Sequence, residues 1–202
     1  MNAAEINVEV LEERAMDLDE YGRVSIAFEV ASVLELEVRG GGLGGIALAE
    51  RALESRYVKD YDVIEGPRQW ARRFDLSRWG SFAALVGGRR VGGALVAFHT
   101  KNVHILEERN DLAALWDIRV APEMRGKGIG SQLFQAALSW ASRRGCLLFK
   151  IETQNINVPA CRFYARQGCE LGGIHRFAYP DFPAEVQLLW YKQLSPHRAR
   201  VV

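Results

Sequence analysis

Six consecutive residues carry the clearest chemistry in this chain. Arg125-Gly126-Lys127-Gly128-Ile129-Gly130 sets three glycines at alternate positions beside two cations. Glycine lets a backbone take conformations closed to other residues and come close to an oxyanion. Where such a loop opens a helix, the first N–H groups have no intrahelical partner, and the helix dipole adds partial positive charge. This is phosphate-binding chemistry. Two familiar phosphate loops do not fit. The P-loop needs GxxxxGK[ST], which the chain lacks. The dinucleotide fingerprint needs GxGxxG after the first strand of a parallel sheet. Here the third glycine is out of register, and Glu152, the acid at the right distance, belongs to a later strand.

A second pattern follows at 157–164, where Asn157, Ala160 and Tyr164 are spaced N-x-x-A-x-x-x-Y. Ala160 and Tyr164 are four apart and share a helical face. A phenol there can act as a weak acid on a leaving group, or simply fill a core. Asp117 and Glu152 fall on the two strands around the loop and its helix. Each suits a general base or a strand-end ion pair. Cys161 neighbours Arg162, but no histidine is spaced to pair with it, which argues against a nucleophile. The histidines His99, His104, His175 and His197 form no HExxH pair, and Cys146, Cys161 and Cys169 lack metal-ligand spacing, so no metal is expected.

Together the two motifs resemble the GNAT superfamily of N-acetyltransferases, whose pyrophosphate cradle reads Q/R-x-x-G-x-G/A. That resemblance implies an α/β fold with a central mixed, mostly antiparallel sheet flanked by helices, and acetyl-CoA as donor. It implies that Arg125, Gly126, Lys127, Gly128, Ile129, Gly130 and Ser131 hold the pyrophosphate. It also implies a bulge in the preceding strand, with backbone groups of Ile118, Arg119 and Val120 on the pantetheine and an N–H near Val120 on the thioester carbonyl. Asn157 would touch the pantetheine or phosphate arm, and Tyr164 would protonate the leaving thiolate. Asp117, Glu152 or a water would take the proton of the attacking amine. The wording "ETQNINVPACRFY" (152–164), "GCELGG" (168–173) and "WYKQL" (190–194) is similar to streptothricin acetyltransferases, with weaker echoes in "AFEV" (27–30) and "ESRYVKDYD" (54–62). The implied acceptor is a small-molecule amine of that antibiotic type. Acetylation of a protein or peptide amine, and a non-catalytic acyl-CoA sensor, stay open beside it. A polycationic acceptor would call for an acidic pocket, for which Asp60, Asp62, Glu65, Asp181 and Glu185 are candidates. Phe177, Tyr179, Phe182 and Trp190 would then form pocket wall or core. Homodimers are common in the family.

The elements that must position these residues follow from hydrophobic periodicity. Residues 24–38 alternate as a strand, the glycines of 40–45 break it, and "IALAERALESRY" from Ile46 has helical spacing. A short helix is expected near Gln69–Phe74. "FAALV", "GGRR" and "VGGALVAF" read as strand, turn and strand, with Gly92-Gly93 marking a bulge or a close backbone neighbour. Residues 112–121 suit a central strand. Residues 129–144 suit a helix burying Leu133, Phe134, Ala137, Leu138, Trp140 and Ala141, with Gly145 beyond its end. A strand at 146–153 completes a right-handed βαβ unit. A short helix over 157–168 and two final strands follow.

The 202 residues suit one domain, with 1–80 on the acceptor side and 80–194 as the acetyl-CoA core. The net charge of +1 gives no argument for nucleic acid. No apolar run reaches the ~20 residues of a membrane helix. An acidic start and three unpatterned cysteines suggest a cytoplasmic protein with reduced thiols. The acidic stretch from Glu5 to Glu20 and the basic His197, Arg198 and Arg200 read as two solvated ends.

Overall fold

The computed structural model describes residues 7–13 and 16–195. Glu5, Arg14, His197, Arg198 and Arg200 lie outside the described residues. In chain order the elements are β1 (Glu9–Glu12), α1 (Leu18–Tyr21), β2 (Phe28–Val38), β3 (Ile46–Lys59), α2 (Asp62–Glu65), α3 (Pro67–Arg73), β4 (Gly80–Val86), β5 (Arg89–Ala97), β6 (Leu112–Val120), α4 (Ile129–Arg143), β7 (Leu148–Gln154), α5 (Val158–Arg166), β8 (Glu170–His175) and β9 (Gln187–Gln193). A seven-stranded sheet runs β1-β4-β5-β6-β7-β9-β8, and β2 and β3 form a two-stranded ribbon. The pairing is mostly antiparallel, with β6 and β7 parallel. The α/β mixed-sheet expectation holds. The described residues fall into two compact units, one drawn from 7–13, 16–26, 61–151 and 192–195, the other from 27–60 and 152–191.

In the first unit the sheet is packed from both faces. Gly92 and Gly93 show why that spot needs glycine. A Cβ on Gly92 would lie 2.8 Å from the Arg119 carbonyl and 3.3 Å from Leu133; one on Gly93 would lie 2.6 Å from the Tyr21 ring. Leu133 belongs to α4, which buries the six residues its periodicity predicts. Gly145 follows with φ 79°, the left-handed cap expected there. The other face holds Tyr21, Trp70, Trp79, Leu95, Val103 and Leu106. The acidic start is not simply a solvated end. Glu13 accepts from Ser81 and from the buried Arg90, and Asp17 caps α1. β1 pairs with β4 at the sheet edge.

The second unit corrects one expectation outright. The sequence predicts a helix from Ile46, but Ile46–Lys59 is a strand paired with β2. Helix propensities differ by only tenths of a kcal/mol per residue, and a hydrogen-bonded ladder outweighs them. The turn is made by Gly40, Gly41, Gly42 and Gly45, all at positive φ, and closes with Arg39 N–H on the Gly45 carbonyl. Asn155 ties the ribbon down. It exchanges backbone and side-chain hydrogen bonds with Leu34, and its Oδ1 accepts from the Val186 N–H at 2.8 Å.

Candidate functional site

The bulge implied by the family resemblance is present in β6. Gly92, Gly93, Ala94 and Leu95 of β5 pair with Val120, Arg119, Ile118 and Asp117. The next pair is Val96 with Leu115, so Trp116 is the extra residue. A bulge breaks the ladder locally and bends the strand. On its other edge β6 pairs with β7 from Leu112–Leu148 to Leu115–Ile151, whereas β6 itself continues to Val120. The Ala121 N–H donates to the Val91 carbonyl at 2.8 Å and so faces β5. Backbone groups alternate along a strand. The N–H and C=O of Ile118 and Val120 therefore face the opposite edge. Arg119, between them, turns its carbonyl toward Gly92.

Past Val120 the chain makes a single tight turn, Pro122–Met124, and then the glycines. Gly126 and Gly128 have φ of 76° and 81°. A Cβ at either would meet nothing within 4 Å. These glycines serve a backbone angle and keep the space over the loop open; a side chain would fill it. Gly128 is the N-cap of α4, and no side chain caps the helix. Its first N–H groups, with the dipole behind them, suit an oxyanion such as pyrophosphate. Exposed Lys127 lies near the Met124 sulfur, 3.6 Å away. Arg125 behaves differently. Its Nε donates to the Val120 carbonyl at 2.9 Å and its Nη2 to the Ser25 carbonyl at 3.2 Å.

The Arg119 guanidinium is wholly buried and makes five hydrogen bonds, matching its five N–H donors. Two go to Asp117, two to Asp62 and one to the Val24 carbonyl. Burial pulls its pKa down, but the bonds and charge of Asp117 and then Asp62 raise it above the ordinary value. The Tyr21 hydroxyl donates to Asp117 at 2.5 Å. Burial, and then the charge of Asp117, raises that phenol well above its usual pKa. Asp117 is thus placed in a buried ion-pair knot. Its Oδ1 accepts from Arg119 and Tyr21, and its Oδ2 accepts from Arg119. Sequence reasoning missed Tyr21 and the partnership with Asp62. They lie 96 and 57 residues from their partners, and no local spacing links them.

In the second unit Glu152 meets a partner. The Tyr179 hydroxyl donates to it at 2.6 Å and accepts from Gln154 at 3.0 Å. Burial, followed by the charge of Glu152, raises the Tyr179 phenol far above its usual range. Asn157 caps α5, its Oδ1 accepting the Ala160 N–H at 3.2 Å. Tyr164 is buried on the same helix, edge-on to Phe163. Cys161 is buried beside Thr153, and burial raises its thiol pKa, the opposite of what a nucleophile needs.

The acidic set for a polycation reads differently in place. Asp62 pairs with Arg119, Glu65 with Arg73 and Glu185 with Lys59, so three of these charges are already matched. The aromatic set also divides. Phe177 is 80 % exposed, Phe182 lies beneath Lys59, and the Trp190 indole donates to Thr153 at 2.9 Å inside the core. Among the described residues no helix is long and apolar enough to cross a membrane.

A model of the Acetyltransferase (GNAT) family matches residues 46–169. A streptothricin acetyltransferase of Escherichia coli is 44% identical over 85 residues, 41% of this chain and 49% of that protein. The chain therefore spans about half the length of that relative. The Streptomyces lavendulae streptothricin acetyltransferase is 29% identical over 177 residues, covering 83% of this chain and 84% of the relative. A Bacillus anthracis str. Ames structure in complex with acetyl coenzyme A superposes with TM-score 0.72 at 25% identity, covering 93% of this chain and all of that one.

Proposed function

The chain belongs to the GNAT acetyltransferase family, and on that premise we propose that it transfers the acetyl group of acetyl-CoA to an amine of a small molecule of the streptothricin type. The relatives named for that antibiotic support the acceptor, and the relative solved with acetyl coenzyme A supports the donor. The observation that carries the reading is a bulged strand leading into an uncapped, glycine-opened helix.

Acetyl-CoA supplies an activated acetyl thioester. The loop from Gly126 to Ser131 holds its pyrophosphate through main-chain N–H groups, with charge from Lys127 and a hydroxyl from Ser131. Ile118 and Val120 bond the pantetheine by backbone groups, and the Val120 N–H polarises the thioester carbonyl. Arg119 serves this strand by its side chain. Asn157 touches the pantetheine or phosphate arm. Tyr164 donates a proton to the departing thiolate, and Glu152, oriented by Tyr179, takes a proton from the acceptor's ammonium, directly or through water, so that the neutral amine attacks. Asp117 stays with Arg119.

The test is thiol release from acetyl-CoA across streptothricin, simple diamines and lysine peptides. Turnover is expected with streptothricin. Turnover confined to peptides would replace the acceptor with a protein amine, and tight coenzyme A binding without turnover would mark a sensor. Tyr164→Phe should lower kcat by about 100-fold, the lower end for a general acid, with little change in KM for acetyl-CoA. Undiminished kcat would remove Tyr164 from the acid role.

A further inference from the structure

Arg125 opens the glycine loop, and its charge invites a phosphate. Its bonds go elsewhere. Nε and Nη2 form the side-on edge of a guanidinium, one of the forks with which arginine grips two oxygens of an oxyanion. Here that edge is taken by two main-chain carbonyls, Val120 five residues back and Ser25 a hundred residues back. The preceding carbonyl, Val24, is held at 3.0 Å by Arg119. Two arginines, one on β6 and one just past it, thus grip consecutive carbonyls of the same segment. Val120 is also the residue whose N–H faces away from β5, the donor assigned above to the thioester carbonyl.

We infer that Arg125 is a positioning residue: its guanidinium fastens the end of β6 to the Val24–Ser25 segment and sets the Val120 peptide, while the phosphate charge is met by Lys127 and the loop N–H groups. A donor aimed at developing charge must hold its place closely, because small misplacements cost large factors in rate. A planar fork bridging two carbonyls supplies that stiffness. A flexible ammonium such as Lys127 answers a diffuse phosphate charge.

This inference rests on the acetyl-CoA reading, and acetyl-pantetheine separates the two. It carries the thioester without the pyrophosphate. Arg125→Met should lower kcat/KM at least about tenfold with both donors, the loss falling mainly on kcat. Lys127→Met should lose about tenfold with acetyl-CoA, through KM, and far less with acetyl-pantetheine. Amide hydrogen exchange on the free protein gives a readout without any donor. Arg125→Met should speed exchange in peptides covering 22–27 and 119–123, and Lys127→Met should leave them unchanged. An Arg125→Met penalty that vanishes with acetyl-pantetheine, or unaltered exchange in those peptides, overturns the positioning role. A wild-type protein that turns over neither donor sinks the acetyl-CoA reading instead, and the exchange result still decides whether Arg125 fastens the strand.

Discussion

β6 and β3 are both long strands, yet they are held in opposite ways. β6 lies within the sheet of the first unit, with most of its side chains buried and its side-chain knot drawn from distant segments. β3 is paired to β2 alone, and most of its residues are exposed. Burial writes a pattern into sequence, because a strand packed on both faces has to be apolar. An exposed ribbon has no such constraint, and its ladder is main-chain. The contrast predicts that substitutions around β6 disturb stability or binding strongly, while those in the ribbon are nearly silent.

The largest expected effect is at Gly93, the β5 partner of Arg119. Gly93→Ala puts a Cβ 2.6 Å from Tyr21 and 2.9 Å from the Phe82 carbonyl. Overpacking of this kind should cost about 3 kcal/mol in urea unfolding. In β3, Ala49→Gly should cost under about 1 kcal/mol. Similar losses at the two sites would end the contrast.

Next comes the loop. Gly128→Glu should weaken coenzyme A binding by about 100-fold in calorimetry, an estimate in which a carboxylate fills an oxyanion's space. Stability should fall by only about 1–2 kcal/mol, the usual cost of a left-handed non-glycine residue. Unchanged affinity would show that the loop is not the cradle.

A third, smaller effect is alkaline. Cys146 is wholly buried next to β7, and burial raises its thiol from 9.0 to about 11. The folded state therefore keeps a proton that the unfolded chain releases. Stability from this source is complete below about pH 9 and is lost as pH rises toward about 11. The loss should be on the order of 2 kcal/mol, and Cys146→Ala should flatten that part of the stability–pH curve. An equal slope in wild type and variant would remove Cys146 as the cause.

The smallest effect belongs to the ribbon. Glu50→Ala removes the acceptor of Ser32 and the partner of Arg162. Pairs this exposed should contribute under about 1 kcal/mol. A larger change in unfolding midpoint would mean the ribbon is more tightly held than its exposure implies.

What the sequence made legible follows the same division. The loop, α4 with Gly145 beyond its end, and the βαβ order all arise from near neighbours, through glycine backbone freedom and helical periodicity. β3 was illegible because its Ala, Leu, Glu and Arg residues suit a helix equally well, and its partner is set by a turn rather than by its own pattern. The candidate site divides likewise. The residues of the loop could be named from spacing, but the bonds of Arg119 and Arg125 could not. From its spacing Asp117 suits a base or an ion pair equally; Arg119, brought to it by the fold together with Tyr21, makes the ion pair. Glu152 gains Tyr179 from 27 residues away.

The double arginine grip on Val24 and Ser25 also bears on the order in which the molecule assembles. Its bonds span 95 and 100 residues, so each waits on the closure of a large loop, a slow and entropically costly event. During synthesis the Tyr21–Ser25 segment emerges long before Arg119 and Arg125 exist. Its carbonyls must stay with water until then. The hexapeptide that looks most self-contained in the sequence should therefore be among the last parts to reach working geometry, after α4 and the β4–β5 hairpin have formed from local contacts.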